Sequence, residues 1–144
     1  MLISDVLNIK GHDVAKVLST DLVVAAVRTL SERRIGAVVV QDQWMKPVGI
    51  FSERDLLNAI ARRGPHALDL QVHELMTAPM ITCHASDRID AALAMMTLKK
   101  IRHLPVADNG ALAGIVSIGD LVKYRFGEKE LEANVLREIS RMRV

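Results

Sequence analysis

The sequence predicts an α/β (α+β) chain made of two tandem βαββα repeats packed around a pseudo-twofold axis. Three observations lead there. First, GIFSERDLL at 49–57 returns as GIVSIGDLV at 114–122, the pattern Gly-Ile-x-Ser-x-x-Asp-Leu written twice at a spacing of 65. Second, the likeness extends upstream at a spacing of 66: Thr20-Asp21, Val23, Ala25-Ala26 and Val27 align with Ser86-Asp87, Ile89, Ala91-Ala92 and Leu93, and Ile35, Val40 and Asp42 with Ile101, Val106 and Asp108. Two related units are the simplest source of such a pattern. Third, the chain has 144 residues, and a unit of about 55 residues is marginal alone, so the two are expected to share a core.

In chain order, residues 1–9 read as an N-terminal helical segment, 10–64 as the first repeat, 65–79 as a connector, 80–126 as the second repeat and 127–144 as a C-terminal helix. Thr20-Asp21 and Ser86-Asp87 offer side-chain oxygens as caps for the first helix of each repeat. Apolar positions follow on one helical face at Val23, Val27 and Leu30, or Ile89, Leu93 and Met96. AVVVQ at 37–41 and VGIF at 48–51 are β-rich runs around the turn QDQWMKP, which carries Trp44. In the second repeat HLPVA and AGIVS bracket Asp108-Asn109-Gly110, and Asn-Gly accepts the positive φ angles of a tight hairpin. Arg63-Gly64-Pro65 ends the second helix of the first repeat, and the connector beyond it has room for one helical turn. EKELEANVLREISRMRV sets Leu131, Val135, Ile139 and Met142 at spacings of four, four and three, an apolar stripe that needs covering by its own module or by a second copy. Arg137, Arg141 and Arg143 read as the solvated face of that helix.

Composition removes several function classes. Nineteen basic residues against 17 acidic leave +2, too little for the electrostatic footprint of a nucleic-acid binder, and 3 % aromatic content argues against a base-stacking platform. No apolar run approaches the ~20 residues that span a bilayer, and MLISDVLNIKG lacks the cationic start of a signal peptide, so a cytoplasmic location is expected. The single Cys83 has no internal disulfide partner.

The chemistry concentrates where a strand gives way to a helix. Gly-Ile-x closes a strand and Asp-Leu opens a helix, which places Ser52 and Ser117 at the cap and Asp55 and Asp120 three residues on. One reading is a capping box, in which the serine accepts from a free backbone N–H and the acid reaches back to the cap residue's N–H. That box prefers the longer Glu or Gln, so Asp fits it less well. The other reading is a ligand site: free N–H groups and the helix dipole attract an anion, and an ionised carboxylate accepts from two hydroxyls of a ribose. Together they suit a nucleotide better than bare phosphate. Cations should then stand near the phosphate. Arg102 and His103 open the middle strand of the second repeat after Lys99-Lys100, whereas the first repeat has Gly36 and Ala37 there and carries Arg54 inside its turn, where the second has Gly119. The two sites are expected to be unequal, and a phosphate contact by His103 would make affinity depend on pH.

These residues, with ELMTAPMITC and IRHLPVADNGALAG between them, resemble the cystathionine-β-synthase (CBS) domain pair over about residues 10–126. The resemblance implies a Bateman module whose clefts between the repeats bind adenine nucleotides or adenosyl ligands, with AMP, ATP, NAD or an S-adenosyl compound as the candidates. It implies dimers, often stacked as a disc, an unidentified regulated protein partner, and no required cofactor. Carried over residue by residue, Asp55 and Asp120 hold ribose, Ser52, Arg54, Ser117, Arg102 and His103 meet phosphate, and Lys16, Ile81 and Thr82 lie near adenine.

Two rivals stand beside the sensor. Catalysis lacks a nucleophile elbow, a phosphate-cradling glycine loop or metal-ligand spacing among His12, His66, His73, His84 and His103. Cys83 and His84 are adjacent on a strand and should face opposite ways, so no catalytic or metal residue is assigned. A ligand-free interaction or dimerisation module is the alternative, with Trp44 as an exposed anchor.

Overall fold

The computed structural model describes residues 1–142; Arg143, read above as part of the solvated face, lies outside them. The chain divides into two compact units, a first unit of Asp13–Ile81 and a second made of Met1–His12 with the chain from Thr82 onward.

The first unit contains β1 (Lys16–Leu18), α2 (Val23–Arg33), β2 (Ala37–Gln41), β3 (Pro47–Ser52) and α3 (Glu53–Arg63), in the expected strand, helix, strand, strand, helix order. Its sheet runs β1-β2-β3, with β1 parallel and β3 antiparallel to β2. AVVVQ is buried along its whole length, which is why β2 is the central strand. Helix α2 buries Val23, Ala26 and Leu30, and the core closes with Val38, Val40, Phe51 and Val72. Gly64, at φ 80°, ends α3 as expected. The connector holds two 3₁₀ turns, Pro65–Asp69 and Val72–Glu74, where one helical turn was expected.

The second unit repeats the plan: β4 (Cys83–His84), α4 (Ile89–Lys99), β5 (His103–Asp108), β6 (Ala111–Ser117) and α5 (Ile118–Met142), with sheet order β4-β5-β6. Asn109 and Gly110 both take positive φ, 51° and 79°, in the β5–β6 hairpin. The N-terminal helix α1 (Ile3–Lys10) also belongs here and buries Ile3, Val6 and Leu7. The second helix of this repeat and the C-terminal helix are one continuous element of 25 residues, with Gly127 inside it.

The anticipated side-chain caps of α2 and α4 do not form. Their N-caps are Leu22 and Arg88, without side-chain cap bonds. Asp21 and Asp87 instead accept backward, from the N–H of Leu18 at 2.8 Å and of His84 at 2.9 Å. The reason is competition from the backbone: the Val23 N–H donates to the Leu70 carbonyl at 2.8 Å, and the Ile89 N–H to the Met1 carbonyl at 3.2 Å. A second repeat, at a spacing of 69, underlies this. ISDVL at 3–7 and VHELM at 72–76 each bridge to the residue that caps the first helix, Leu2 to Arg88 and Gln71 to Leu22. The third residue of each is an acid, Asp5 or Glu74, accepting from the N–H three residues back at 2.8 or 2.9 Å.

Candidate ligand-binding turns

Each Ser-x-x-Asp turn folds as a capping box, and Asp reaches far enough to complete it. At the start of α3, Asp55 Oδ2 accepts from the Ser52 N–H at 2.9 Å and the Ser52 hydroxyl at 3.0 Å, while Ser52 Oγ accepts from the Asp55 N–H at 3.3 Å. At the start of α5, Asp120 Oδ2 accepts from the Ser117 N–H at 2.9 Å, and Ser117 Oγ accepts from the Asp120 N–H at 3.0 Å. The expectation that Asp fits the box less well is therefore corrected. With Ser extended at φ −121°, the short side chain spans the gap without strain. Both carboxylates remain half-buried, open to solvent on one side.

The strap repeated at a spacing of 69 completes each turn, and here the two differ. In the first unit Thr77, just past the second 3₁₀ turn, donates its hydroxyl to Asp55 Oδ1 at 2.9 Å. In the second, Lys10 at the end of α1 places its ammonium 2.6 Å from Asp120 Oδ2 and 2.7 Å from the Ile115 carbonyl oxygen. Burial opposes ionisation of Asp120, but the bond from Lys10, the Ser117 N–H and the ammonium charge together outweigh it, so its carboxyl is held below its ordinary 3.8. Gly49 and Gly114, the first residue of each motif, make room for the straps. A Cβ on Gly49 would lie 2.8 Å from the Thr77 carbonyl oxygen and 2.9 Å from Met76 Sδ, and one on Gly114 would lie 2.7 Å from Leu7 Cδ2.

The remaining site residues fall into two groups. His103 faces Ser117 directly across the β5–β6 ladder, and the Arg102 carbonyl accepts from the Ile118 N–H at 2.8 Å, so both stand at the mouth of α5. In the first unit Ala37 faces Ser52 and the Gly36 carbonyl accepts from Glu53, the same framework without side-chain charge. Arg54 is exposed in the first turn of α3. Lys16 lies on β1, separated from the Ser52 turn by β2, and is exposed. Ile81 and Thr82 precede β4 as half-buried, irregular chain, one on each side of the division between units. Sequence reasoning missed Lys10 and Thr77, although the repeat of ISDVL as VHELM marked the straps that carry them.

Cys83 is buried while His84 is exposed, and burial with the nearby Asp87 charge pushes the thiol up to about 11. Such a thiol stays protonated and makes a poor nucleophile. Among the described residues no group of three His, Cys, Asp or Glu is placed to hold a metal, and no helix is long and apolar enough to cross a membrane.

Residues 3–62 and 72–127 each match the CBS domain family. Among curated proteins, the chain is 30 % identical over 90 % of its length to the uncharacterized protein MK0525 of Methanopyrus kandleri. It is 33 % identical over 84 % of its length to the mitochondrial CBS domain-containing protein CBSX3 of Arabidopsis thaliana. It spans just under two thirds of these relatives, 65 % and 63 %. Of solved structures, the CBS-domain protein ATU1752 of Agrobacterium tumefaciens superposes with a TM-score of 0.83 at 42 % identity, covering 86 % of this chain and 92 % of that one. PAE2072 of Pyrobaculum aerophilum, complexed with AMP, gives 0.73 at 29 % identity over 83 % and 89 % of the two chains. The domain pair of MJ0100, in complex with 5′-methylthioadenosine and S-adenosyl-L-methionine, gives 0.77 at 25 % identity over 89 % and 98 %.

Proposed function

Because this chain belongs to the CBS-domain family and carries two of its repeats in tandem, we propose that it is a regulatory sensor. In this reading its two Ser-x-x-Asp turns bind adenine nucleotides or adenosyl ligands, and occupancy is reported to a partner protein by a conformational change. The observation that carries the reading is the duplicated turn itself. A half-buried carboxylate sits at the mouth of a helix, oriented by its own N-cap, in both units. Such a carboxylate accepts ribose hydroxyls, and the adjacent helix N–H groups and cations attract phosphate. AMP and S-adenosyl compounds bound to similar pairs support the same ligand class.

The two turns differ in the ligand they favour. Lys10, Arg102 and His103 make the Asp120 turn the more cationic, suited to a phosphate-bearing ligand such as AMP, ATP or NAD. The Asp55 turn meets its strap through a neutral hydroxyl, with Arg54 outside, and suits a ligand of lower negative charge such as an S-adenosyl compound. The ligand must bind one conformation better than another for occupancy to be read. The reading is non-catalytic and requires no cofactor, and it places a homodimer in the cytoplasm.

Calorimetric titration with AMP, ATP, NAD, S-adenosylmethionine and 5′-methylthioadenosine tests it. Saturable binding to the wild type, lost in Asp55→Ala/Asp120→Ala while the protein stays folded, is the expected result. No binding of any of the five would leave the boxes as helix caps alone. A ligand-free dimerisation module is then the reading that remains, and the uncovered apolar stripe of α5 favours it.

A further inference from the structure

Helix α5 outruns the unit that holds it. Its first turns are anchored, with Leu121 fully buried and Arg125 ion-paired to Asp90 of α4. Followed along the helix in steps of three and four, the face that carries Leu121 and the half-buried Tyr124 continues through Leu131, Val135 and Met142, with Ile139 beside them. There it is uncovered: Leu131, Val135 and Ile139 are 64, 49 and 43 % exposed. An isolated helix of this length is marginal in water, and its apolar row calls for a second surface. The CBS match ends at residue 127, so this stretch lies beyond the repeat.

The charges name the occupant. Residues 128–134, EKELEAN, carry three glutamates and one lysine, and residues 135–142, VLREISRM, carry two arginines and one glutamate. The sign reverses about Val135, so the helix complements itself when turned end for end. We propose that residues 128–142 pair antiparallel with the same segment of a second copy, on a twofold axis near Val135. Val135 then meets its own counterpart, Leu131 meets Ile139, and the acidic half of each helix lies along the basic half of the other. A parallel pair would set glutamates on glutamates. Exposed charges contribute little affinity, so they choose the orientation while the apolar row supplies the attraction. The pairing does not depend on whether either turn binds a nucleotide.

Sedimentation velocity of the full chain, with Val135→Glu beside it, tests the pairing. The wild type is expected to be a dimer at ~100 μM, since a single helix pair is a small interface, and Val135→Glu a monomer. Oxidative cross-linking then reads the orientation. Val135→Cys should link to itself. Leu131→Cys should not, because its two copies stand about 12 Å apart along the helices at 1.5 Å per residue, beyond the roughly 7 Å a disulfide tolerates between Cα atoms. Cys83 is buried and stays out of the reaction. A monomeric wild type, a dimeric Val135→Glu, a Val135→Cys that does not link, or equal linking at both positions would overturn the proposal.

Discussion

The turns at Asp55 and Asp120 have the same backbone and different partners. Both boxes close on Oδ2, both are overlain by a strap from the 69-residue repeat, and both strands carry a glycine where the strap crosses. One strap ends in a hydroxyl and the other in an ammonium. A duplicated framework thus holds both carboxylates in the same way, while one side chain on a distant segment gives each a different partner. That side chain lies outside the 49–57 and 114–122 motifs, so comparing those motifs alone makes the two sites look more alike than they are.

The largest expected effect separates the turns outright. Asp55→Ala and Asp120→Ala should each remove one class of binding site in calorimetry, by about 100-fold or more, because bonds to a charged acceptor contribute roughly 1.5–3 kcal/mol each. Loss of both sites from either single variant would contradict the independence of the two turns. Next come the glycines. Gly49→Ala should destabilise the protein by about 2–3 kcal/mol in urea unfolding and Gly114→Ala by about 1–2 kcal/mol. The first Cβ meets a backbone carbonyl that has little freedom to move, and the second meets the end of a leucine side chain. Equal costs would show that the straps are equally rigid.

A smaller effect belongs to Lys10. Lys10→Met should lower AMP affinity at the Asp120 turn about tenfold and leave adenosine binding nearly unchanged, since only the phosphate-bearing ligand gains from the ammonium. A parallel loss of both would assign Lys10 to holding the fold. The smallest effect is on acid stability. The depressed Asp120 carboxyl contributes stability that is complete above its unfolded value near 3.8 and is lost as pH falls through the lower folded value. Urea midpoints measured from pH 6 down to the acid limit should therefore fall less steeply in Lys10→Met than in the wild type.

Much of this architecture was legible in the sequence, for physical reasons. AVVVQ and Asn109-Gly110 are local statements, a run with no polar face and a dipeptide that tolerates positive φ, and both formed as read. The capping reading of Thr20-Asp21 and Ser86-Asp87 failed because the free N–H groups it would satisfy are taken by carbonyls of Leu70 and Met1, which are remote in the chain. The same remoteness hid Lys10: its partner lies 110 residues away, and no local pattern announces such a pair. The long run of α5 was masked by Gly127, which a helix tolerates at a cost of about 1 kcal/mol.

The placement of α1 has a consequence for how the protein is made. Residues 13–81 form their unit from one contiguous stretch, but residues 1–12 must wait until residues 114–120 are made before Leu7 and Lys10 find their seats beside Gly114 and Asp120. Residues 1–12 are thus among the last parts of the second unit to settle, and until then their apolar face is open to chaperones or to another molecule of the same kind.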